Sequence, residues 1–357
     1  MRPGRINIIS GCILSFSTIV SSQAQEDKRP NIIFLMADDL GIAEVGYTGF
    51  NEYIITPNID KMVSQGIRFD RFYSQAPVCS PTRGSVLTGR HPFRYGIFEA
   101  NIGCLRPEEV VMPEVLGDIG YTTGHFGKWH LGEIIDGLES KGMCEANPLD
   151  FGYDEFYGTH HSVPTIDPNW YVTGELTIDS ITGLPLEKYL TNDVKDSKEL
   201  YNYLETIEEN GEKRIVPVKH KLYGDDSRIM MNEAIDFIDN NKEQPFFTTI
   251  WFHTPHEPVY ATEEHKEIYR QTYPDVEIFS GADSTRYLNY YGAVTAMDEQ
   301  IGRLRDSLEQ WGLSENTMIW FTSDNGPTNV GTTGIYRGAK RHLFEGGVRV
   351  PGVLVWP

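Results

Sequence analysis

The chain has 357 residues, of which 39% are hydrophobic and 23% are charged. This balance is that of a globular protein with a substantial core, and it excludes a largely disordered chain. The formal net charge of −20 excludes nucleic acid as an expected partner, so an anionic substrate would need a local cluster of cationic side chains.

The first 24 residues have the composition of a secretory signal peptide. Arg2 and Arg5 precede a largely apolar stretch, and the small residues Ser22 and Ala24 follow it at a cleavage site. A short membrane anchor is the alternative, but the stretch is short for a bilayer span, and no later segment is long and apolar enough. We therefore predict one main domain over residues 25–357, secreted or periplasmic after signal removal, without stable membrane insertion.

Three cysteines lie beyond this segment and before the end of the chain, namely Cys79, Cys104 and Cys144. An odd number leaves one thiol unpaired in an exported protein. Cys104 and Cys144 could pair in an oxidising compartment, although the sequence alone does not establish that pairing. Cys79 would then be the unpaired cysteine.

Predicted strands and helices alternate along the chain. Apolar runs predict strands over Asn31–Met36, Pro245–Phe252, Met318–Thr322 and Val353–Trp356. Helical spacing and end signals predict helices over Pro57–Gly66, with Thr56 as N-cap, and over Ser80–Thr88, Met112–Ile119, Asp225–Asn241 and Tyr287–Trp311. The alternation predicts a doubly wound α/β sheet flanked by helices, with the site beyond the carboxyl ends of the strands.

Residues 133–224 are the least regular part of the sequence, being rich in Gly, Pro, Asp and Tyr without an internal repeat. We predict that they form insertion loops over the site. Loops of this kind commonly determine substrate specificity.

Cys79 is predicted to lie at the N-terminus of a helix, where an anion is favoured. It begins the string Cys-Ser-Pro-Thr-Arg, which ends at Arg83, and Leu-Thr-Gly-Arg follows over residues 87–90. A bare Cys-x-Pro-x-Arg would be a weak signal, equally explained by a buried thiol before a helix. The extension at this spacing makes that explanation a minor one.

Two polar pairs, Asp38-Asp39 and Asp324-Asn325, each follow a predicted strand. Alone, each pair is more often a loop or helix-capping group than a metal site. Together they offer three carboxylates and an amide oxygen, which are hard ligands that suit calcium.

Three further strings contain candidate polar groups. Lys128 and His130 alternate within Gly-Lys-Trp-His-Leu-Gly, so an extended backbone would point both into one site. His256 follows a predicted strand within His-Glu-Pro, while His253, three residues earlier, is a weaker candidate with a structural role. Lys340 lies five residues before a Glu-Gly-Gly string. Each group taken alone is better explained as a solvated lysine or a satisfied histidine.

These five motifs resemble those of the sulfatase family and occur along the chain in that family's order, from about residue 30 to the end. Within the family, the chain is similar to the bacterial arylsulfatases and N-acetylgalactosamine-6-sulfatase-like proteins. The resemblance implies an alkaline-phosphatase-like α/β fold with a mixed sheet, and hydrolysis of the sulfate ester of a sulfated carbohydrate or aryl sulfate. It implies that a maturation enzyme converts Cys79 to formylglycine. Relatives continue beyond the Glu-Gly-Gly string, so we expect a small C-terminal subdomain to be missing after Pro357.

The resemblance also implies a role for each candidate residue. One calcium ion per chain would be held by Asp38, Asp39, Asp324, Asn325 and the converted Cys79. Arg83 would anchor the site, and Lys128, His256 and Lys340 would bind sulfate oxygens. His256 or Lys340 would protonate the leaving alcohol, and His130 would be the base that releases sulfate.

Two alternatives remain open at this point. A phosphate or phosphonate monoester hydrolase of the same superfamily would bind a group that differs from sulfate by a single charge. A non-catalytic anion-binding fragment would bind sulfate without turning it over.

Overall fold

A computed structural model describes residues 29–134, 144–168, 203–218, 222–328 and 330–357. The predicted signal segment, residues 1–24, lies outside these ranges. In chain order the described strands are β1 (Asn31–Ala37), β2 (Ile67–Arg68), β3 (Thr122–Lys128), β4 (Glu155–Thr159), β5 (Leu204–Glu209), β6 (Glu212–Pro217), β7 (Phe246–Trp251), β8 (Thr317–Ser323) and β9 (Gly352–Val355).

These strands form one mixed sheet in the spatial order β2-β9-β8-β1-β7-β3-β4-β5-β6. Its centre is parallel, since β1 pairs in parallel with both β8 and β7, and β3 pairs in parallel with both β7 and β4. Antiparallel strands extend the sheet at both edges. The predicted α/β class with a mixed sheet flanked by helices is confirmed.

The helices lie on both sides of the sheet. They are α1 (Pro57–Gln65), α2 (Cys79–Thr88), α3 (Pro92–Tyr95), α4 (Met112–Asp118), α5 (Asp226–Asn241), α6 (Glu263–Thr272), α7 (Glu277–Ser280), α8 (Ser284–Gln310) and α9 (Glu345–Val348). The five predicted helices are confirmed with ends shifted by three residues or fewer.

Two hydrophobic cores cover the two faces of the sheet. Ile33 and Leu35 of β1 belong to the core shared with α5 and α8, whereas Met36 belongs to the core next to α2 and α4. Successive side chains of a strand point to opposite faces, so an almost wholly apolar strand is expected when both faces are covered. The continuous apolar run of β1 therefore results from its central place in the sheet.

Two sequence-based expectations differ from the structure. The sequence predicts irregular insertion loops over residues 133–224, but the described parts of this segment include the strands β4, β5 and β6. Thr56 occupies the N-cap of α1, yet its side chain makes no capping hydrogen bond. Asp298 of α8 accepts the backbone N–H groups of Asn58 and Ile59 instead, at 3.0 and 2.8 Å. A carboxylate from a neighbouring helix thus replaces the expected local cap.

Cys104 and Cys144 form a disulfide with a Cα–Cα distance of 5.4 Å, and Cys79 is a free, buried cysteine. This settles the pairing that the sequence left open. Across the described ranges, none of the helices combines the length and the apolar character that crossing a bilayer requires.

Candidate active site

The two polar pairs predicted at strand ends meet at one edge of the sheet. Strands β1 and β8 run parallel with Ala37 opposite Ser323, so the residues that follow each strand are neighbours. The backbone N–H of Asp39 donates to Asp324 Oδ1 at 3.0 Å. Asn325 Nδ2 donates to Asp39 Oδ1 at 2.7 Å. The structure thus brings together all four residues of the predicted ligand set that lie at strand ends.

Cys79 is the first residue of α2, and the helix begins against these carboxylates. Its Sγ lies 3.6 Å from Asp38 Oδ1 and 3.9 Å from Asp39 Oδ1, and its side chain is buried. Burial and then the charge of Asp324 raise the pKa of the Cys79 thiol well above its usual range. The prediction that Cys79 lies at a helix N-terminus is confirmed.

Arg83 lies one turn further along α2 and is fully buried. Its Nε and Nη2 donate to Asp324 Oδ2 at 3.1 and 2.7 Å, and its Nη1 donates to the backbone oxygen of Lys128 at 3.1 Å. Nη2 also lies 3.3 Å from Asp38 Oδ1. A guanidinium with a fixed fork of donors therefore connects three separate segments of the site.

Lys128 is the last residue of β3, and its Nζ donates to Asp38 Oδ2 at 2.7 Å. Gly127 makes this placement possible. It has φ +102°, and a Cβ there would lie 2.0 Å from the backbone oxygen of Trp251 on the neighbouring strand. Only glycine tolerates both this backbone conformation and the close approach. In the Gly-Lys part of the motif, the glycine is therefore required by the backbone conformation, and the lysine supplies the charged group.

His130 lies beyond the end of β3, where the backbone has left the extended conformation. Its φ is +58°, so the predicted alternation of Lys128 and His130 along one extended segment is wrong. The imidazole is nevertheless buried, and its Nε2 lies 2.6 Å from Asn101 Oδ1. Burial and then the charge of Lys128 lower the pKa of His130 well below its usual range.

His256 and Lys340 face the same carboxylate from the more open side. Lys340 Nζ lies 2.7 Å from Asp39 Oδ1, and His256 Nε2 lies 3.6 Å from Asp39 Oδ2. His256 is 26% exposed and Lys340 is 12% exposed as side chains. Both line a cavity of about 370 Å³ together with Asp39, Glu257 and Arg341. Solvent and ligands therefore reach the site from this side.

The Glu-Gly-Gly string packs the loop after β8 into place. Gly326 N donates to Gly347 O at 2.9 Å, and a Cβ on Gly326 would lie 1.9 Å from the backbone oxygen of Gly346. Two backbone segments approach so closely that side chains are excluded from both. The glycines thus position Asp324 and Asn325 without contacting a ligand themselves.

The charges of the site balance. Asp38, Asp39 and Asp324 oppose Arg83, Lys128 and Lys340, and all of these ion pairs are buried or nearly so. Burial alone would raise the pKa of Asp38, but Lys128, His256 and Arg83 together hold it well below its usual range. A charged carboxylate in a buried position requires such partners.

One cluster of side-chain atoms and one buried amide oxygen could hold a metal ion. One oxygen each of Asp38 and Asp39, Cys79 Sγ and a ring nitrogen of His256 all lie within 4.8 Å of one another. This cluster shares three members with the predicted ligand set and adds His256. Asn325 Oδ1, a member of the predicted set, is buried without a hydrogen-bond partner in the described part of the chain. A buried amide oxygen of this kind fits a hard cation.

Sequence reasoning missed three polar residues at the site. Ser162 Oγ donates to Asp38 Oδ2 at 2.9 Å, and the ring of His161 lies 5.2 Å from that of His130. Both follow β4, in the segment predicted to be loops, and the string His-His-Ser after an apolar run was the signal. Asn101 belongs to a loop without any motif. His253 is fully buried between Asp226 and Thr159, as a structural group would be.

A family model described as Sulfatase matches residues 30–357 of this chain. The match covers all the candidate residues above. It begins one residue before β1 and ends with the last residue of the sequence.

Curated relatives and solved structures agree with this match. The chain is 30% identical to mouse N-acetylgalactosamine-6-sulfatase in an alignment 366 positions long, which covers 97% of this chain and 61% of that protein. It is 30% identical to human steryl-sulfatase over 94% of this chain and 63% of that one. The crystal structure of Ps i-CgsB in complex with k-i-k-neocarrahexaose superposes with a TM-score of 0.72, at 29% identity over 92% of this chain and 66% of that one. The chain spans about three fifths of the length of the curated relatives.

Proposed function

Because this chain belongs to the sulfatase family, we propose that it hydrolyses a sulfate ester at the site around Cys79. The main support is the position of Cys79, buried at the start of α2 within 4 Å of both Asp38 and Asp39. Arg83 and Lys128, fully buried beside it, supply positive charge where an anion would bind.

We propose that a maturation enzyme converts Cys79 to formylglycine. The hydrated aldehyde would supply one hydroxyl that attacks sulfur and a second hydroxyl whose deprotonation releases sulfate. The residues around position 79 suit such a group, because oxygen acceptors and cationic donors both lie next to the side chain.

We propose calcium as the bound ion, with Asp38, Asp39, Asp324 and Asn325 as ligands that leave room for the side chain at position 79. The support is the set of three carboxylates and the unpartnered Asn325 Oδ1. The protein groups alone balance to zero charge, so one divalent cation would leave about two positive charges to hold a sulfate group. The ion would polarise the oxygens around it.

The other polar side chains would act on the substrate directly. Lys128 and Lys340 would bind sulfate oxygens from opposite sides, because each reaches a different carboxylate of the same cluster. His256 Nδ1 lies 2.6 Å from the backbone oxygen of Glu257 and donates to it, so Nε2 faces the cavity. Burial lowers the pKa of His256 to about 4, so the ring would gain the proton on Nε2 only when the anionic sulfate binds next to it and favours the imidazolium. The imidazolium would then protonate the leaving alcohol from Nε2, and the neutral His130 would serve as base in the release of sulfate.

For the substrate we propose a sulfated carbohydrate, with aryl sulfates as simpler surrogates. The support comes from relatives, since one is named for N-acetylgalactosamine 6-sulfate and another was crystallised with a neocarrahexaose. The wide range of relatives, which includes a steryl-sulfatase, leaves the particular sugar and sulfate position to experiment.

We also propose that the protein acts in a secreted or periplasmic location. The support is the disulfide between Cys104 and Cys144, because disulfides persist in oxidising compartments. The signal-like composition of residues 1–24 agrees with this location.

The test is a comparison of esters with protein produced beside a formylglycine-generating enzyme. We expect hydrolysis of aryl sulfate and of sulfated monosaccharides, slower hydrolysis of the matching phosphate and phosphonate esters, and an aldehyde or its hydrate at position 79 by peptide mass spectrometry. Cys79→Ala is the matched control and should retain the fold without turnover. Faster hydrolysis of phosphonate, or sulfate binding without turnover by modified protein, would overturn the proposal.

A further inference from the structure

The imidazole of His130 contacts a residue that lies outside the Gly-Lys-Trp-His-Leu-Gly motif. Its Nε2 lies 2.6 Å from Asn101 Oδ1, whereas its Nδ1 is buried and has no hydrogen-bond partner in the described ranges of the chain. Asn101 lies between α3 and α4, about thirty residues before His130. The two ring nitrogens of His130 are therefore in different chemical surroundings.

An amide oxygen can only accept a hydrogen bond, so the proton of a neutral imidazole facing Asn101 Oδ1 must be on Nε2. The lone pair is then on Nδ1. The hydrogen bond to one ring nitrogen commonly decides which tautomer a histidine adopts and how its ring is oriented. We propose that Asn101 is a positioning residue, which fixes His130 in the Nε2–H tautomer and leaves Nδ1 as the base. This inference rests on the proposed function, in which His130 releases sulfate.

The backbone conformations of Asn101 and His130 indicate that the surrounding structure determines the contact between them. Asn101 has φ +63° and His130 has φ +58°, which is the left-handed region that few residues other than glycine adopt. Asparagine and histidine are both enriched there among residues other than glycine, yet the region still costs more than the right-handed helical and extended ones. A conformation with such a cost persists where surrounding contacts determine it, and it is frequent at functional sites.

The groups around His130 keep its ring neutral and oriented. The charged neighbours that face it are Lys128, Arg83 and Asp38, and the ring of His161 packs edge-on against it at 5.2 Å and 77°. Two cations disfavour a third positive charge, while Asp38 favours it. The partner of Nε2 is a neutral amide and not a carboxylate, and Nδ1 has no partner among the described residues, so the neutral ring depends on Asn101 for its tautomer.

The test compares two substitutions that both tolerate a positive φ. Asn101→Gly removes the acceptor, and Asn101→Asp retains one. Asn210→Gly is the matched control, because Asn210 also has a positive φ, +57°, but lies in the turn between β5 and β6, away from the site.

We expect Asn101→Gly to lower kcat by about 10- to 100-fold, with little change in KM. This loss is smaller than the roughly 10²- to 10⁴-fold contribution of a complete general base. Asn101→Asp should keep kcat near the wild-type value and move the acid limb of the kcat profile to higher pH, and Asn210→Gly should change neither.

A second readout does not depend on turnover. Two-bond proton–nitrogen spectra of protein labelled with ¹⁵N-histidine report the tautomer of each ring, and the signals of His130 are those lost in His130→Gln. We expect Nε2–H in the wild type and in Asn101→Asp, and a mixture of tautomers in Asn101→Gly. An Nδ1–H tautomer in the wild type, or equal losses of kcat in both Asn101 variants, would overturn the inference. Absence of any sulfate ester hydrolysis with the expected tautomer present would instead count against the proposed function.

Discussion

Asp38 and Glu44 lie six residues apart on the loop that follows β1, and both side chains are completely buried. Asp38 contacts Lys128 and Arg83, and its pKa is held well below the usual range against the effect of burial. Glu44 accepts the N–H of Thr332 at 2.6 Å, and no cation is among the described groups that act on its pKa. Burial therefore raises the pKa of Glu44 to about 7, despite weaker lowering by its hydrogen bonds.

The difference shows how one buried loop supports two kinds of carboxyl group. At Asp38, where Lys128 and Arg83 converge, the buried carboxylate remains charged and can hold an ion or an anion-binding lysine in place. Where the neighbours are neutral amides and tyrosines, the same degree of burial favours the protonated acid. The charged state of the site is therefore a property of Arg83 and Lys128 as much as of the aspartates themselves.

The largest expected effect comes from removing one of those cations. Arg83→Met would leave Asp324 buried without the guanidinium whose Nε and Nη2 both donate to its Oδ2. We therefore expect a loss of about 3–5 kcal/mol in the free energy of unfolding and no sulfate ester hydrolysis. Urea titration measures the stability. Arg214→Met is the control, because Arg214 and its partner Glu209 are both 57% exposed, and surface pairs contribute at most about 1 kcal/mol.

Arg83→Lys separates charge from geometry, since lysine keeps the positive charge without the fork of donors. We expect its stability to lie between those of the wild type and Arg83→Met. If Arg83→Met unfolded at the same urea concentration as the wild type, the cations would not be what keeps the carboxylates of the site charged.

The neutral carboxyl of Glu44 predicts a pH dependence of stability. The folded state retains the proton to about pH 7, whereas the unfolded chain releases it near pH 4.5. The stability that Glu44 contributes is therefore complete below pH 4.5 and is lost as pH rises to about 7, a change of roughly 3 kcal/mol. Urea titrations across this range should show that Glu44→Gln lacks this part of the fall. An identical pH profile for the wild type and Glu44→Gln would mean that Glu44 is ionised in the fold.

Calcium should stabilise the site but not the surroundings of Glu44. An ion that binds only the folded state adds about 2.7 kcal/mol when its concentration is 100 times Kd. After treatment with a chelator, we expect added calcium to raise the Tm of the wild type and of Glu44→Gln equally, and to raise that of Asp39→Asn much less. Equal increases in all three proteins would place the ion elsewhere, and no increase in the wild type would count against the calcium site.

The sequence predicts the centre of this site better than its periphery. Asp38, Asp39, Asp324 and Asn325 follow apolar strands, and the carboxyl ends of parallel strands β1 and β8 necessarily meet at one edge. No such rule governs Asn101, which enters the site from a loop. The sequence likewise gives no sign that Glu44 is buried, since its burial results from the packing of the loop after β1 against α8.

The hairpin of β5 and β6 was missed although a signal existed. Asn210-Gly211 separates two runs of alternating character and is a strong turn pair for a hairpin. The position of Thr56 was right, but its capping bond was not, because Asp298 of the distant helix α8 reaches the same N–H groups. Local patterns identify elements, while contacts between distant segments depend on the packed fold.

The smallest effect on stability is expected at His256, on the open side of the site. Its ring is 26% exposed, and the 3.6 Å between Nε2 and Asp39 Oδ2 is too long for a strong ion pair. Removing it leaves no buried charge unpaired, since Lys340 still contacts Asp39. We therefore expect His256→Gln to change the free energy of unfolding by less than about 1 kcal/mol.

Activity should respond quite differently, because His256 would protonate the leaving alcohol. We expect His256→Gln to lower kcat by about 10²-fold or more on a sulfated sugar, whose alkoxide leaves poorly without a proton. On a nitrophenyl sulfate the loss should be much smaller, because that leaving group departs without protonation. His342→Gln is the matched control, since His342 is exposed and its Nδ1 hydrogen-bonds to the backbone oxygen of Ala339. Equal losses of kcat on both substrates would mean that His256 binds sulfate and does not protonate the leaving group. A large loss of free energy of unfolding would mean that the open side of the site contributes as much to stability as the buried side.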